Sequence, residues 1–360
     1  MKTLALHRYL PHLILCGSAL LPASLSAAPT IGEVKVFNDW AVACNNIRAC
    51  EATSFLFKED GSDEMDATLQ LQRGGQAQDA PHFSLTLGFE PLAANLRGKP
   101  VTLQGGGKSV QLGNLSKSQQ KNAAIDIPPA QNAAFLELVA KPAQLTISIG
   151  GKTFKASLSG LSASLLYMDS QQQRVDTTTA LARKGSKPMT AVPPVTPVRT
   201  AVLAPKGMKA PAGLAGKVRT VMADSLKECD ADETDNKISD SDFVEVLDAK
   251  HYLVGVMCFR AAYNEGYEMF VVAADSASFA QPKVTPAKLD VHSGDQSELV
   301  NASFDPKTGH LAEYNKGRGI GDCGTSVEWV WTGAQFEAIR YDEMPECRGS
   351  LDYLNLWTAK

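Results

Sequence analysis

The placement of cysteine around one proline-rich stretch constrains this chain more than any other feature. Of seven cysteines, Cys16 lies in an apolar N-terminal segment, Cys44 and Cys50 precede the stretch, and Cys229, Cys258, Cys323 and Cys347 follow it. An even number on each side predicts disulfides that never cross the stretch, in a chain that folds in an oxidising compartment. Cys44 is expected to pair with Cys50. The four later cysteines allow three connectivities, and pairing of sequence neighbours gives Cys229 with Cys258 and Cys323 with Cys347. On the chain-entropy model these loops stabilise by about 2.4, 3.6 and 3.5 kcal/mol, as upper values. Cys44 and Cys50 lack the Cys-x-x-Cys spacing of thiol oxidoreductases, so structural staples are the expectation.

Residues 1–27 read as a signal peptide. Lys2 and Arg8 form a positive start, 10–21 is apolar, and Ser24, Ser26 and Ala27 supply small residues near the cut. The apolar run is shorter than the roughly 20 residues of a membrane-spanning helix. A lipoprotein box at Cys16 fails because Leu15 is bulky. Loss of Lys2 and Arg8 without any acid moves the net charge from −4 to −6. A mildly acidic body argues against a nucleic-acid binder, and no later segment is apolar enough to span. The expected location is the periplasm.

The expected organisation is an N-terminal β-rich domain over 28–182, a Pro/Lys-rich linker over 183–216, and a C-terminal β-rich domain over 217–360 holding two disulfides. No acid occurs between Asp176 and Asp224, while Arg183, Lys184, Lys187, Arg199, Lys206, Lys209, Lys217 and Arg219 do. Six prolines in the same stretch fix φ and cannot donate hydrogen bonds, which predicts an extended, solvated spacer. Period-two alternation marks half-buried strands at 67–71, 83–87 and 145–149, with a tight hairpin turn at Gly150-Gly151. Residues 34–44 and 49–57 read as further strands, and 133–140 and 161–173 as helices. Beyond the linker, strands are expected at 243–247, 252–259, 267–273, 326–331 and 335–341, with a hairpin over 303–314 around the turn at Asp305-Pro306-Lys307-Thr308-Gly309. The fold class is mainly β (α+β): two disulfide-stapled antiparallel β domains with a few short helices and no βαβ alternation.

Motifs that could carry chemistry fail in detail. Gly319-Ile320-Gly321-Asp322-Cys323-Gly324 has dinucleotide-fingerprint spacing, but a strand follows where a helix is needed. It remains a candidate anion nest, with Lys316 and Arg318 adding charge, or a tight bend that lets the disulfide close. Gly105-Gly106-Gly107-Lys108-Ser109 has Thr102 where a P-loop needs its first glycine. The acidic run after Cys229 offers oxygens for calcium, yet Asp235 and Ser241 stand where an EF-hand needs glycine and an acid. His82, His251, His292 and His310 lack zinc-helix spacing. No catalytic residue, metal or cofactor is expected. Trp329 and Trp331, on one strand face, are a sugar platform or core packing over a disulfide. The candidate binding residues are Arg318, Asp322, Trp329 and Trp331.

Phe37-Asn38-Asp39-Trp40-Ala41-Val42-Ala43-Cys44 with Arg48-Ala49-Cys50-Glu51 resembles the start of an uncharacterised family of exported proteobacterial proteins, labelled a domain of unknown function. The resemblance continues at Ser157-Leu158-Ser159-Gly160-Leu161 with Met168-Asp169, and at Cys258 with Ala262-Tyr263-Asn264. It is strongest at 316–324, 329–333 and Pro345-Glu346-Cys347-Arg348-Gly349. The N-terminal half is also similar to invasion-associated locus B proteins, which are small envelope proteins. The resemblance implies a periplasmic protein of Gram-negative bacteria and supplies no catalytic residues. The functional expectation is a periplasmic, non-catalytic binding or envelope-accessory protein whose partner is an envelope protein or a cell-wall component. The alternatives are a cell-wall or glycan hydrolase and a secreted lysozyme or protease inhibitor.

Overall fold

The computed structural model describes residues 31–57, 65–195, 209–227, 229, 238–276, 284–286 and 298–359. The expected leader and most of the acidic run after Cys229 therefore lie outside the described residues, as do His292 and 196–208 of the expected linker. The described chain is mostly antiparallel β, with a few short helices, as its alternating patterns predict.

In the N-terminal half, β1 (Lys35–Phe37), β2 (Trp40–Cys44), β3 (Cys50–Ser54), β4 (Ala67–Arg73) and β5 (His82–Leu87) form a sheet in chain order, closed by β8 (Ala124–Asp126) on β5. A second sheet runs β10 (Lys152–Ser157), β9 (Gln144–Ile149), β6 (Pro100–Gly105), β7 (Lys108–Asn114). Leu69, Leu71, Phe83 and Leu85 of the first sheet meet Leu103, Leu145 and Ile147 of the second, beside Phe135 and Leu138 of helix α2 (Asn132–Val139). Gly150 and Gly151 both take positive φ, and Ile149 pairs with Lys152, the predicted two-residue turn.

Helix α1 (Lys117–Asn122) has no apolar stripe to announce it; it is started by a capping box between Ser116 and Gln119. Helix α3 (Leu161–Gln171) buries Leu161, Leu165 and Met168 on one face, as their spacing predicts.

The stretch after α3 differs from an extended spacer. Thr177 bridges to Lys187, Ala180 and Val192 are buried, and Arg48 donates to the carbonyls of Pro193 and Pro194 at 2.6 and 2.8 Å. Proline removes a donor but keeps an acceptor, so a proline run can still be held by an arginine. Further on, Leu214–Val221 forms helix α4, whose Leu214 and Val218 pack on Tyr252, Val254, Val256 and Phe270. Arg219, one of the basic residues counted above in the acid-free stretch, is a structural residue: its guanidinium holds Asp242 in two bonds of 2.6 Å.

The C-terminal half has two sheets. One runs β11 (Phe243–Asp248), β12 (His251–Arg260), β13 (Glu265–Ala273), β14 (Val284–Pro286), with β15 (Glu298–Val300) also on β13. The other runs β16 (Ser303–Asp305), β17 (His310–Lys316), β18 (Gly324–Trp331), β19 (Phe336–Met344), β20 (Leu354–Thr358). The disulfides are Cys44–Cys50, Cys229–Cys258 and Cys323–Cys347, so none joins the halves.

The halves nevertheless share a core. Trp40 and Val42 of β2 point into the N-terminal core, while Ala41 and Ala43 point the other way, with Phe55, against Leu354, Leu356, Trp329 and Tyr341. Small alanines let β20 approach β2 closely. Gly32 enforces the same approach: it donates to Leu356 O at 2.9 Å, and a Cβ there would lie 2.6 Å from Cys44 O. Arg348 crosses this seam. It donates to Phe57 O (2.8 Å), Asn38 O (2.7 Å) and the Asp39 carboxylate (2.8 Å), and its guanidinium sits 4.4 Å from the centre of the Phe55 ring.

Candidate functional site

The 317–323 loop is built as a clamp. Lys316 ends β17 and Gly324 opens β18, whose register pairs the two residues directly. Gly317 N–H donates to Cys323 O at 2.7 Å and Gly321 N–H to Arg318 O at 2.9 Å. Gly324 is required: with φ of 132°, a Cβ would lie 2.0 Å from Asn315 O. Arg318 forks onto the enclosed Asp322 carboxylate, with Nε at 2.6 Å and a second, shorter bond from Nη2. Asp322 also accepts from Gly349 N–H at 2.6 Å. The Cys323–Cys347 bond joins the same two segments.

This arrangement uses up what an anion nest would offer. The N–H groups of Gly317 and Gly321 face internal carbonyls, and the Arg318 charge is matched by Asp322. Burial pushes the Asp322 carboxyl up, but the Arg318 guanidinium and the Gly349 N–H outweigh it and hold that carboxyl below its ordinary value. Such a contribution is fully present above the unfolded carboxylate value and is lost as pH falls through the folded one. Asp322→Asn is therefore expected to cost about 1–2 kcal/mol at neutral pH, discounted for the exposed side of Arg318, and almost nothing in acid. Urea unfolding at both pH values measures it.

Trp329 and Trp331 share a face of β18, and that face is turned inward, leaving them 2 % and 4 % exposed. Neither presents a ring to a sugar, because both pack in the core that spans the seam. Trp331 donates to Asp248 at 2.6 Å and meets His251 edge-on, while His251 Nδ1 lies 2.9 Å from the same carboxylate. Trp329 Nε1 makes no hydrogen bond to any described residue.

What the loop does present is apolar. Ile320 is 56 % exposed at its tip. The loop between β12 and β13 leans on it: Tyr263 donates to Gly317 O at 3.2 Å, Asn264 donates to Lys316 O at 3.0 Å, and Tyr263 itself is 40 % exposed. The segment behind Gly349 adds Leu351, 51 % exposed. Three loops tied by a disulfide, an ion pair and side-chain hydrogen bonds thus each carry one large exposed side chain. Sequence reasoning passed over all three; an aliphatic residue set among turn glycines, as Ile320 is, was the available signal. Among the described residues no cluster of three or more His, Cys, Asp or Glu side chains could hold a metal ion, and no helix is long and apolar enough to cross a membrane.

A family model described as "Protein of unknown function (DUF1176)" matches residues 34–360. The chain belongs to this family. The DUF1176 match spans the seam, taking in both Asp39 and Arg348. The uncharacterized protein YpfG of Escherichia coli (strain K12) is 29 % identical over 95 % of this chain and 97 % of its own. The crystal structure of invasion associated protein b from Bartonella henselae aligns with 39 % of this chain and 99 % of that one, at 14 % identity and a TM-score of 0.28.

Proposed function

We propose that this DUF1176 chain is an exported periplasmic protein that acts by binding, without catalysis, and that its partner is an envelope protein. Three disulfides and a leader-like N-terminus support export. The observation that carries the binding reading is that Ile320, Tyr263 and Leu351 are each exposed on mutually clamped loops. Exposed apolar side chains on rigid supports are what a protein partner covers at low entropic cost.

Charge reversal at Arg318 is a poor probe of this surface, because it would set two carboxylates together beside Gly349. Ile320→Asp and Leu351→Asp are clean, since both side chains already face water. The tagged protein is cross-linked in intact cells and the captured species identified by mass spectrometry. Burial of one such side chain is worth roughly 1.5–3 kcal/mol, so each substitution is expected to lower capture of the dominant partner about tenfold or more. Capture that survives both substitutions removes the assignment. If no partner rises above background, turnover of purified cell-wall sacculi tests the hydrolase alternative.

A further inference from the structure

Carboxylates crowd the other end of the seam from Arg348. Glu51 projects from β3 on the same face as Thr53 and Phe55, across from β20. Asn355 of β20 joins it to a second acid: its backbone N–H donates to Glu51 Oε2 at 3.1 Å, and its side-chain amide to Asp342 Oδ1 at 2.8 Å. A third acid, Asp352, accepts from Thr53 Oγ1 at 3.2 Å, two residues along β3 from Glu51. The charged groups facing Glu51 are Arg340 and Asp342 on β19 and Asp352 before β20. Arg340 is already committed to Asp342 at 2.6 Å. Opposite Glu51, β4 presents neutral Gln72, and β2 and β20 carry no charged side chain at all. Asp352 is faced by Glu51 and by the hydroxyls of Thr53 and Thr68.

We propose that this three-carboxylate, one-guanidinium cluster makes the joint between the two halves pH-responsive, tight when Glu51 and Asp352 are protonated and loosened when both are ionised. Two like charges held in a shared, water-poor seam repel, and among the described residues the cation facing them, Arg340, is shared with Asp342.

Burial holds the Glu51 carboxyl above its ordinary value, against the Asn355 N–H and Arg340, and burial does the same to Asp352 against the two threonine hydroxyls. A carboxyl raised in the folded state contributes stability that is complete below its unfolded pKa and lost as pH rises through the folded one. The joint therefore weakens as pH rises above the ordinary carboxylate range. That is opposite in sign to the Asp322 contribution.

The device does not depend on what Ile320 and Leu351 bind, and its test needs no partner. Hydrogen exchange is measured on the mature protein at about pH 5 and about pH 8, corrected for intrinsic exchange. The amides to watch are Gly32, Leu56 and Phe57, whose acceptors, the carbonyls of Leu356 and Arg348, lie across the seam. Their protection is expected to fall about tenfold or more at the higher pH, while amides of the β6–β9 pair hold theirs. In the Glu51→Gln, Asp352→Asn double variant, protection at the two pH values should agree. Equal protection in the unsubstituted protein, or a pH effect that persists in the double variant, overturns the proposal. Should the double variant not fold, the infrared carbonyl band of protonated carboxyls in the unsubstituted protein decides. Glu245, Glu298 and Glu313 are also raised by burial, so a band present at about pH 5 that ionises by about pH 8 supports the device when Glu51→Gln or Asp352→Asn alone weakens it. Its absence, or a band that neither single substitution weakens, overturns it.

Discussion

Replacing Arg348 by alanine is expected to lower the unfolding free energy by about 3–5 kcal/mol, the cost of breaking an enclosed ion pair by removing one partner. Arg348 and Asp39 are both nearly sealed from water, with side chains 9 % and 13 % exposed. The substitution leaves the Asp39 carboxylate without its cation, takes the donor from the carbonyls of Asn38 and Phe57, and uncovers the face of Phe55. Ser157 still donates to the other Asp39 oxygen at 2.7 Å, so the carboxylate is not abandoned entirely. The backbone on either side makes matters worse, since Leu56 N–H and Phe57 N–H both donate to Arg348 O at 3.0 Å and rely on that segment staying in place. Urea unfolding should show the midpoint falling with little change in slope. Arg348→Lys keeps the charge but not the fork that reaches three acceptors, and should recover less than half of the loss. A cost below about 1 kcal/mol for the alanine variant would show that the halves associate through apolar packing alone.

Asp169→Asn should be comparably severe, for a different reason. Asp169 sits on α3 with its side chain fully enclosed, facing an equally enclosed Arg73 at 2.7 Å. Its two oxygens also accept from Leu181 N–H at 3.0 and 2.8 Å and from Ala182 N–H at 2.8 Å. An amide has one acceptor oxygen, so its NH₂ must point at a donor, and Arg73 loses its counter-charge. Burial already lowers Arg73 to about 10 against the pull of Asp169, and without that carboxylate nothing comparable opposes burial. The expected loss is about 3–5 kcal/mol. Because the same carboxylate fastens the chain at Leu181 and Ala182, trypsin should also cut after the exposed Arg183 and Lys184 faster than in the unsubstituted protein. Unchanged cutting together with full stability would show that Gln172, which accepts from Arg73 Nε at 2.6 Å, suffices alone.

Local features were legible in the sequence to the degree that they are local. The Gly150-Gly151 turn, the alternating strands and the α3 stripe follow from neighbours in the chain, and so does the pairing of nearby cysteines. Helix α1 escaped because it rests on a cap and buries no side chain, and α4 because its glycines, lysine and arginine read as spacer. The seam escaped for a stronger reason: Asp39 and Arg348 are separated by 309 positions, and no periodicity reports such a contact. One signal did exist. Trp40-Ala41-Val42-Ala43 does not alternate in polarity, and an uninterrupted apolar strand is one buried on both faces. At the candidate site, the 318–322 bend was visible as glycine spacing, whereas the inward turn of Trp329 and Trp331 depends on what lies against β18. The motifs that carried the family resemblance turn out to meet in space, with Asp39 against Arg348 and Asp322 against Gly349.

Strand β2 gives one face to each core, and that has a consequence for how the chain can be divided. The polypeptide between Lys187 and Leu214 supplies continuity, but the shared strand and Arg348 supply the adhesion. Two fragments made on either side of that stretch would each expose half of an apolar interface and would each be poorly soluble alone. Mixed, the two fragments are expected to reassemble without a covalent tie, and their co-elution on gel filtration checks it.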